Sequence, residues 1–165
     1  MIQAKFKLTE ETIMVNGKPL YRIEALRDFA DVKKGDKGGF IENESNLSQT
    51  DDCWVYDNAK VYDYAKIRDN AQVRGNAKVY NNALVRGKAK VYGSAMVRGN
   101  AVVYGHAKVY GDVEVCGNAE VYDDAEVYGH AVVCGYTKVY NNAEVSDNAW
   151  ICEDVIVCDN TKICE

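Results

Sequence analysis

A six-residue unit repeats through most of this chain and constrains its fold more than any other feature. The stretch AKVYGSAMVRGNAVVYGHAKVYGD, residues 89–112, contains four nearly identical copies of the unit. Most copies begin with alanine, and Val or Ile follows two residues later, from Val55 to Ile163 without any shift in register. This unbroken spacing predicts one repetitive architecture over residues 53–165.

The period of the apolar residues excludes helical folds. An amphipathic helix needs apolar residues about every 3.6 positions and a coiled coil about every 3.5. Here the apolar residues alternate once and then skip four positions, and alternation is the period of a β-strand that turns both side chains to one face. The pair that follows, mostly Gly, Asn, Asp or His, tolerates left-handed backbone angles. Each unit is therefore predicted to be a short strand followed by a two-residue corner.

Short strands joined by corners that keep the same face inward must coil into a solenoid around a core of small side chains. With three strands per turn, one coil takes about 18 residues, so residues 53–165 supply a little over six coils. The predicted fold class is all-β, a single-stranded parallel β-helix of triangular cross-section whose strands stack about 4.8 Å apart.

Residues 1–52 do not repeat and are predicted to form an N-terminal cap. The segment TIMVNGKPLYRI places Asn16–Gly17 between two apolar-rich runs, a strong β-hairpin signal because both turn positions favour positive φ. Ile41, Leu47 and Cys53 then continue the six-residue spacing as an imperfect first coil. A solenoid end without a cap would expose unpaired strand edges and an open apolar core.

The unit V-x-G-N-A-x resembles the hexapeptide repeat of left-handed β-helix proteins and covers about 113 of the 165 residues. This resemblance implies a left-handed solenoid, a hand that the spacing alone does not give. The stretch IEALRDFADVKKGDKGGFIENESNLSQTDDCWVYDNA also resembles the segment that leads into the first coil in a YdcK-like group of bacterial and phage proteins. That second resemblance implies no activity.

The hexapeptide resemblance also implies an enzymatic alternative. Many such proteins are trimeric acyltransferases that bind acyl-coenzyme A between subunits and use a histidine as general base, and others are zinc carbonic anhydrases with three histidines. This chain has two, His106 and His130, both at corners, where histidine is expected as a tolerated left-handed residue. A catalytic histidine needs an orienting partner and a pocket, and no insertion interrupts the register to build one. We therefore predict no catalytic residue and no cofactor, with the two histidines as candidates only in the acyltransferase alternative.

Residues about 18 positions apart are expected on adjacent rungs of one face. Outward positions after each Val then form tyrosine-rich ladders, which we expect to stabilise the solenoid through aromatic contacts. The outward positions before each Val carry apolar residues on two of the three faces, and exposed apolar patches mark interfaces. The interface candidates are Met96, Val132 and Trp150 on one face, and Leu84, Val102 and Ile156 on the other.

Charge is divided along the predicted rod. Residues 53–110 contain ten Lys and Arg against three Asp, a net +7, whereas residues 111–165 contain two Lys against twelve acids, a net −10. Two interpretations remain open: the acids protect the final coil from edge-to-edge association, or the basic half of one chain contacts the acidic half of another.

Three of the six cysteines, Cys116, Cys134 and Cys152, are predicted on successive rungs, and Cys53 occupies an inward alanine slot. Parallel in-register side chains suit the disulfide dihedral poorly. No C-x-x-C pair occurs, and the N-terminus MIQAKFKLTEETIMV does not resemble a secretion signal. The thiols are therefore expected to stay reduced, and no metal site is predicted.

These observations favour one functional class. No apolar run approaches the ~20 residues of a membrane helix, and the overall charge of −5 argues against nucleic acid as a partner. We expect a cytoplasmic, non-catalytic β-solenoid scaffold, a binding or assembly module that forms homo-oligomers through a lateral face. The alternative is a hexapeptide-repeat acyltransferase with active sites between subunits.

Overall fold

The computed structural model describes residues 3–165 and confirms an all-β parallel solenoid of about seven coils of about 18 residues each. Before the repeats lie strands β1 Phe6–Val15 and β2 Lys18–Ala25, strand β3 Lys37–Ile41, and a single 3-10 turn, Glu44–Asn46. Among residues 3–165, no helix is long and apolar enough to cross a membrane.

The repeats form the three sides of the solenoid, which we call faces A, B and C. Face A contains β3, β5 Lys60–Val61, β8 Lys78–Val79, β11 Met96–Val97, β14 Glu114–Val115, β17 Val132–Val133 and β20 Trp150–Ile151. Face B contains β6 Lys66–Ile67, β9 Leu84–Val85, β12 Val102–Val103, β15 Glu120–Val121, β18 Lys138–Val139 and β21 Ile156–Val157. Face C contains β4 Trp54–Val55, β7 Gln72–Val73, β10 Lys90–Val91, β13 Lys108–Val109, β16 Glu126–Val127, β19 Glu144–Ser146 and β22 Lys162–Cys164.

The register between coils is the predicted one. Met96 pairs with Lys78 on one side and with Glu114 on the other, so each strand lies parallel to the strand 18 residues before and after it. Backbone N–H groups donate to carbonyls of the next coil, as Tyr104 N does to Val121 O at 3.0 Å. Parallel strands in exact sequence register place chemically equivalent residues in ladders.

The core is a stack of small side chains, as predicted. The alanines and the Val or Ile two positions later point inward and are almost completely buried from Ala59 to Val145. Cys53 is also fully buried, in the alanine slot that the repeat assigned to it. Since each side of the triangle contributes only two inward side chains, the coil can close only around residues of this size.

The corners correct one expectation. The left-handed residue is the first of each corner pair, for example Gly105 with φ of 68° and Gly129 with φ of 75°. His106 and His130 follow these glycines and neither has a positive φ, so the expectation that histidine fills the left-handed position was wrong. Glycine suits the first position for a second reason, because a Cβ on Gly105 would lie 2.8 Å from the backbone nitrogen of Asp123 on the next coil.

The first end of the solenoid is covered by the β1–β2 hairpin, whose turn residues Asn16 and Gly17 have φ of 50° and 77°. Strand β2 pairs antiparallel with β3 and extends face A. Phe6 and Ile23 from the hairpin are buried in the same core cluster as Trp54 of the first coil. The hairpin therefore places apolar side chains where the stack of coils begins.

A buried lysine completes this covered end. Lys5 is fully buried, and its Nζ donates to the carbonyls of Asp51 and Cys53, each at 2.7 Å. Burial lowers the Lys5 pKa, while the neighbouring Cys53 acts in the opposite direction. Buried polar groups are costly without partners, and Lys5 supplies a donor to carbonyls at the start of the solenoid.

The hairpin tip also covers part of face A. Leu20, Phe40 and Tyr62 form a small buried cluster, and Lys18 Nζ lies 2.7 Å from Asp63 Oδ1. Tyr62 was predicted on an outward ladder but is only 4% exposed. The repeat determines that the Tyr62 side chain points outward. The hairpin, which lies outside the repeat, covers that side chain and buries it.

Candidate functional site

Face A carries its most exposed apolar side chain at its last rung. Trp150 on β20 is 74% exposed, and the half-buried Val132 pairs with it on β17. Trp150 Nε1 donates to Cys152 Sγ at 2.8 Å, which holds the indole against the strand. Met96, the third candidate on this face, is separated from Val132 by Glu114. The structure therefore brings together two of the three face A candidates.

Face B divides its candidates in a similar way. Leu84 and Val102 occupy neighbouring rungs and are both half-buried. Ile156 lies at the last rung and is 61% exposed, with Glu120 and Lys138 between it and Val102. Ile156 is therefore closer to the end of the rod than to its predicted companions.

Four of the six large apolar side chains that are exposed among residues 3–165 lie in the last two coils, and the other two, Met14 and Tyr64, lie near the first end. Tyr136 lies at a corner between faces A and B and is 63% exposed, while Val155 fills an inward slot of the last coil yet is 37% exposed. We call Val132, Tyr136, Trp150, Val155 and Ile156 the apolar end patch. Sequence reasoning missed Tyr136 and Val155, because one interrupts a Gly–Asn corner pattern and the other occupies a core position.

The two candidate histidines lie apart, on different corners. His106 follows face B, whereas His130 follows face C, and both side chains are exposed. His130 Nδ1 is 3.4 Å from Asp112 Oδ2, with both side chains about two-thirds exposed. Among residues 3–165, no group of three His, Cys, Asp or Glu side chains has the arrangement of a metal site.

The cysteine ladder corrects a second expectation. Cys134 and Cys152, on neighbouring rungs, form a disulfide with a Cα–Cα distance of 4.5 Å. The prediction that every thiol stays reduced was therefore wrong for this pair; it relied on an unfavourable side-chain dihedral and on the lack of a secretion signal, whereas the spacing between rungs lies within the Cα range of a disulfide. Cys116, one rung earlier, is a buried free thiol whose pKa is raised by burial.

Tyrosine ladders line the outward positions after Val, as predicted. Tyr104, Tyr122 and Tyr140 stack with ring centroids 4.8 and 5.0 Å apart and interplanar angles of 5° and 4°. A second stack on face C adds hydrogen bonds, since the Tyr110 hydroxyl donates to Glu126 Oε2 at 3.1 Å. These rings are half-buried against one another, which supports a structural role for them.

The charge division seen in the sequence is concentrated at the corner between faces B and C. Its basic part contains Arg86, Lys88, Lys90 and Lys108 on two consecutive rungs, with His106 among them. Its acidic part contains Asp123, Asp124, Glu126 and Glu144 on the next two rungs. We call these eight residues the charge-split corner.

The fold defines the class of the molecule as a parallel β-solenoid with coils of about 18 residues. A scan against models of protein families finds no match for the chain, and a search of curated proteins finds none either. The resemblance to the YdcK-like group stays a prediction.

Proposed function

We propose that this chain is a non-catalytic β-solenoid scaffold, a binding or assembly module that self-associates through a lateral surface at the apolar end patch, around Trp150 of face A. One observation carries the proposal: Trp150 is 74% exposed, next to the apolar Val132 on the neighbouring rung. Removing apolar surface from water is worth roughly 25 cal/mol per Å². A tryptophan exposed at this position therefore favours contact with another surface.

The shape of the rod supports an assembly role. Strands of two or three residues and two-residue corners leave each face flat along residues 53–165, without inserted loops. Association of such a rigid face orders few side chains or loops, which lowers its entropic cost. Aromatic residues are enriched at the centres of protein interfaces, and the hydrogen bond to Cys152 fixes the Trp150 indole before any contact forms.

The geometry favours this scaffold over the acyltransferase alternative. His106 and His130 lie on separate corners of one chain, and the carboxylate nearest to His130 is as exposed as the imidazole. His106 lines a surface groove with Asp124 and Glu126, but no ion pair orients its imidazole among residues 3–165. A general base needs such an orienting partner. We expect acyl transfer from acetyl-coenzyme A to remain at background, and His106→Asn and His130→Asn to leave thermal stability unchanged.

The direct test is the solution mass by light scattering in high salt, for the wild type, Trp150→Lys and Tyr64→Lys. Tyr64 is 80% exposed at an early corner and provides a matched control for loss of an exposed aromatic ring. We expect a salt-resistant oligomer in the wild type and in Tyr64→Lys, and a monomer in Trp150→Lys. A wild-type monomer at every concentration, or an unchanged mass in Trp150→Lys, would contradict the proposal.

A further inference from the structure

The two halves of the charge-split corner carry equal and opposite net charges. Counted from the residue after each inward Val to the residue before the next, the rungs 86–90 and 104–108 carry +3 and +1, with His106 neutral. The rungs 122–126 and 140–144 carry −3 and −1. The flanking rungs 68–72 and 158–162 each carry no net charge, because one acid balances one base in each. The corner therefore presents +4 followed by −4 over four rungs, about 15 Å of the rod.

Much of this charge has no ion-pair partner within residues 3–165, although the Arg86 guanidinium lies over the Tyr104 ring at 4.6 Å. Arg86, Lys88 and Lys90 are exposed, and none forms an ion pair among the described residues. Asp123 and Asp124 are likewise exposed and lack an ion-pair partner there. The other members are paired along the ladder: Lys108 Nζ is 3.7 Å from Glu126 Oε1, and Lys162 Nζ is 3.4 Å from Glu144 Oε1.

The order of these charges is self-complementary under a two-fold axis. If a second rod lies antiparallel along the same corner, its acidic rungs face the basic rungs of the first rod. The reverse contact occurs at the same time, as it must in an isologous interface. A parallel arrangement would instead oppose like charges on all four rungs, which is destabilising. The charges therefore specify the direction of the partner as well as its chemistry.

The same arrangement disfavours a polyanion such as nucleic acid as the partner. A strand that followed the basic rungs would meet Asp123 and Asp124 on the very next rung. The basic part extends over two rungs, about 5 Å between them, so it offers room for only one or two phosphates. A surface matched in length and charge exists on the chain itself.

We propose that the charge-split corner is a second, separate interface, which binds another copy of this chain in antiparallel orientation. This contact does not depend on Trp150, which lies on face A, whereas the charge-split corner lies between faces B and C. Because its charges are solvent-exposed, the contact is weak and salt-sensitive. Used together, the two interfaces link rods laterally into assemblies larger than a pair.

The test reverses each half of the corner in a chain that lacks the face A contact. In the Trp150→Lys background, the first variant carries Lys88→Glu and Lys90→Glu, which change the charge of rung 86–90 from +3 to −1. The second variant carries Glu144→Lys, which changes the charge of the facing rung 140–144 from −1 to +1. A control variant, Lys34→Glu with Lys37→Glu, makes the same charge change as the first variant at exposed positions of the N-terminal segment.

Sedimentation velocity at low salt should show concentration-dependent association of the parent and control chains, weakened by on the order of tenfold or more in high salt. Each reversed variant alone should associate more weakly than the parent chain, because like charges then face each other across the two-fold axis. An equimolar mixture of the two should recover association, since Glu144→Lys of the second variant places a positive charge opposite the reversed rung 86–90 of the first. Three results would overturn the proposal: a monomeric parent chain at low salt, association unaffected by reversal, or no rescue in the mixture. Loss of the face A oligomer in Trp150→Lys tests the proposed function separately.

Discussion

Trp54 and Trp150 occupy the same position of the repeat unit, immediately before an inward aliphatic residue, at opposite ends of the rod. Trp54 is 1% exposed and Trp150 is 74% exposed. The rings of Phe6 and Phe29 lie edge-on to Trp54 at 6.3 and 5.2 Å, whereas Trp150 makes no aromatic contact among the described residues. Identical repeat positions thus become a core residue at one end and a surface residue at the other.

The difference between the two tryptophans shows which structural properties a periodic sequence determines and which it does not. The repeat sets which way a side chain points and which rung it occupies, since both follow from strand geometry. What covers the side chain depends on residues outside the repeat, here the hairpin and the segment after it. The covered end therefore stabilises the stack, and the apolar end patch is the part free to bind.

The largest expected effect is a loss of stability when Trp54, the covered one of the two tryptophans, is removed. Trp54→Ala should lower the free energy of unfolding by roughly 3–5 kcal/mol, the usual cost of a cavity from a large aromatic. Trp150→Ala should change it by no more than about 0.5 kcal/mol, as expected of an exposed side chain. Urea denaturation followed by circular dichroism measures both, at low protein concentration so that assembly does not contribute. Equal losses would mean that the hairpin does not shield the first coil.

The second effect concerns the disulfide that ties the last two rungs together. Reducing Cys134–Cys152, which are separated by 18 residues, should destabilise the last coil by about 3 kcal/mol. Hydrogen exchange of residues 150–165 with and without a dithiol reductant measures this loss, while exchange in the hairpin should not change. The Cys134→Ser, Cys152→Ser double variant is the control and should be insensitive to the reductant. Identical exchange of the wild type in both conditions would refute the prediction.

The third prediction is that a substitution of Glu153 stabilises the last coil, which contains Trp150. Glu153 adopts φ of 78° at a corner position that most other coils fill with Gly, Asn or Asp. Left-handed backbone costs an ordinary residue roughly 1–2 kcal/mol, so Glu153→Gly should stabilise the last coil by about that amount. Asp147→Gly, at a corner with φ of 57°, should gain less because Asp tolerates this region. A lower melting temperature for Glu153→Gly would contradict the account of the corners.

The smallest expected effect is a loss of stability at alkaline pH, which arises from Tyr62 at the covered end of the solenoid. Burial raises the pKa of Tyr62 to about 12, above its usual value of 10.0. The unfolded chain therefore loses this proton first, so the contribution of Tyr62 is complete below pH 10 and is lost as pH rises toward 12. At pH 11 the loss is about 1 kcal/mol. Tyr62→Phe should flatten the decline in stability between pH 10 and 12, and an unchanged slope would exclude Tyr62 as its source.

Most of the fold followed from the sequence because the spacing is strict. The pairing of Met96 with Lys78 and Glu114, and the burial of Cys53, needed only a period and a number of sides. Lys5 gave no such signal, because its burial depends on contacts with Asp51 and Cys53 nearly fifty residues away. Such contacts between a non-repeating segment and the first coil follow no period.

The surfaces were only partly predictable. Trp150 and Val132 were expected together from their 18-residue separation, and the structure places them on neighbouring rungs. The charge division was predicted from the sequence only as a basic half of the chain followed by an acidic half. That these charges lie mainly at one corner became clear once each residue was placed on its corner in the structure. The disulfide was not expected, although the spacing between rungs is within its Cα range, because the orientation of two side chains on neighbouring strands does not follow from the period of the sequence.

The central claim, that the rod assembles through the end patch of face A, is tested most directly by hydrogen exchange at low and high protein concentration in high salt. Salt suppresses contact through the charge-split corner, so slower exchange reports the apolar contact. We expect strands β17 and β20 to exchange more slowly at high concentration in the wild type, but not in Trp150→Lys, while the β1–β2 hairpin stays unchanged in both. Exchange at β17 and β20 that is independent of concentration in the wild type would contradict the claim.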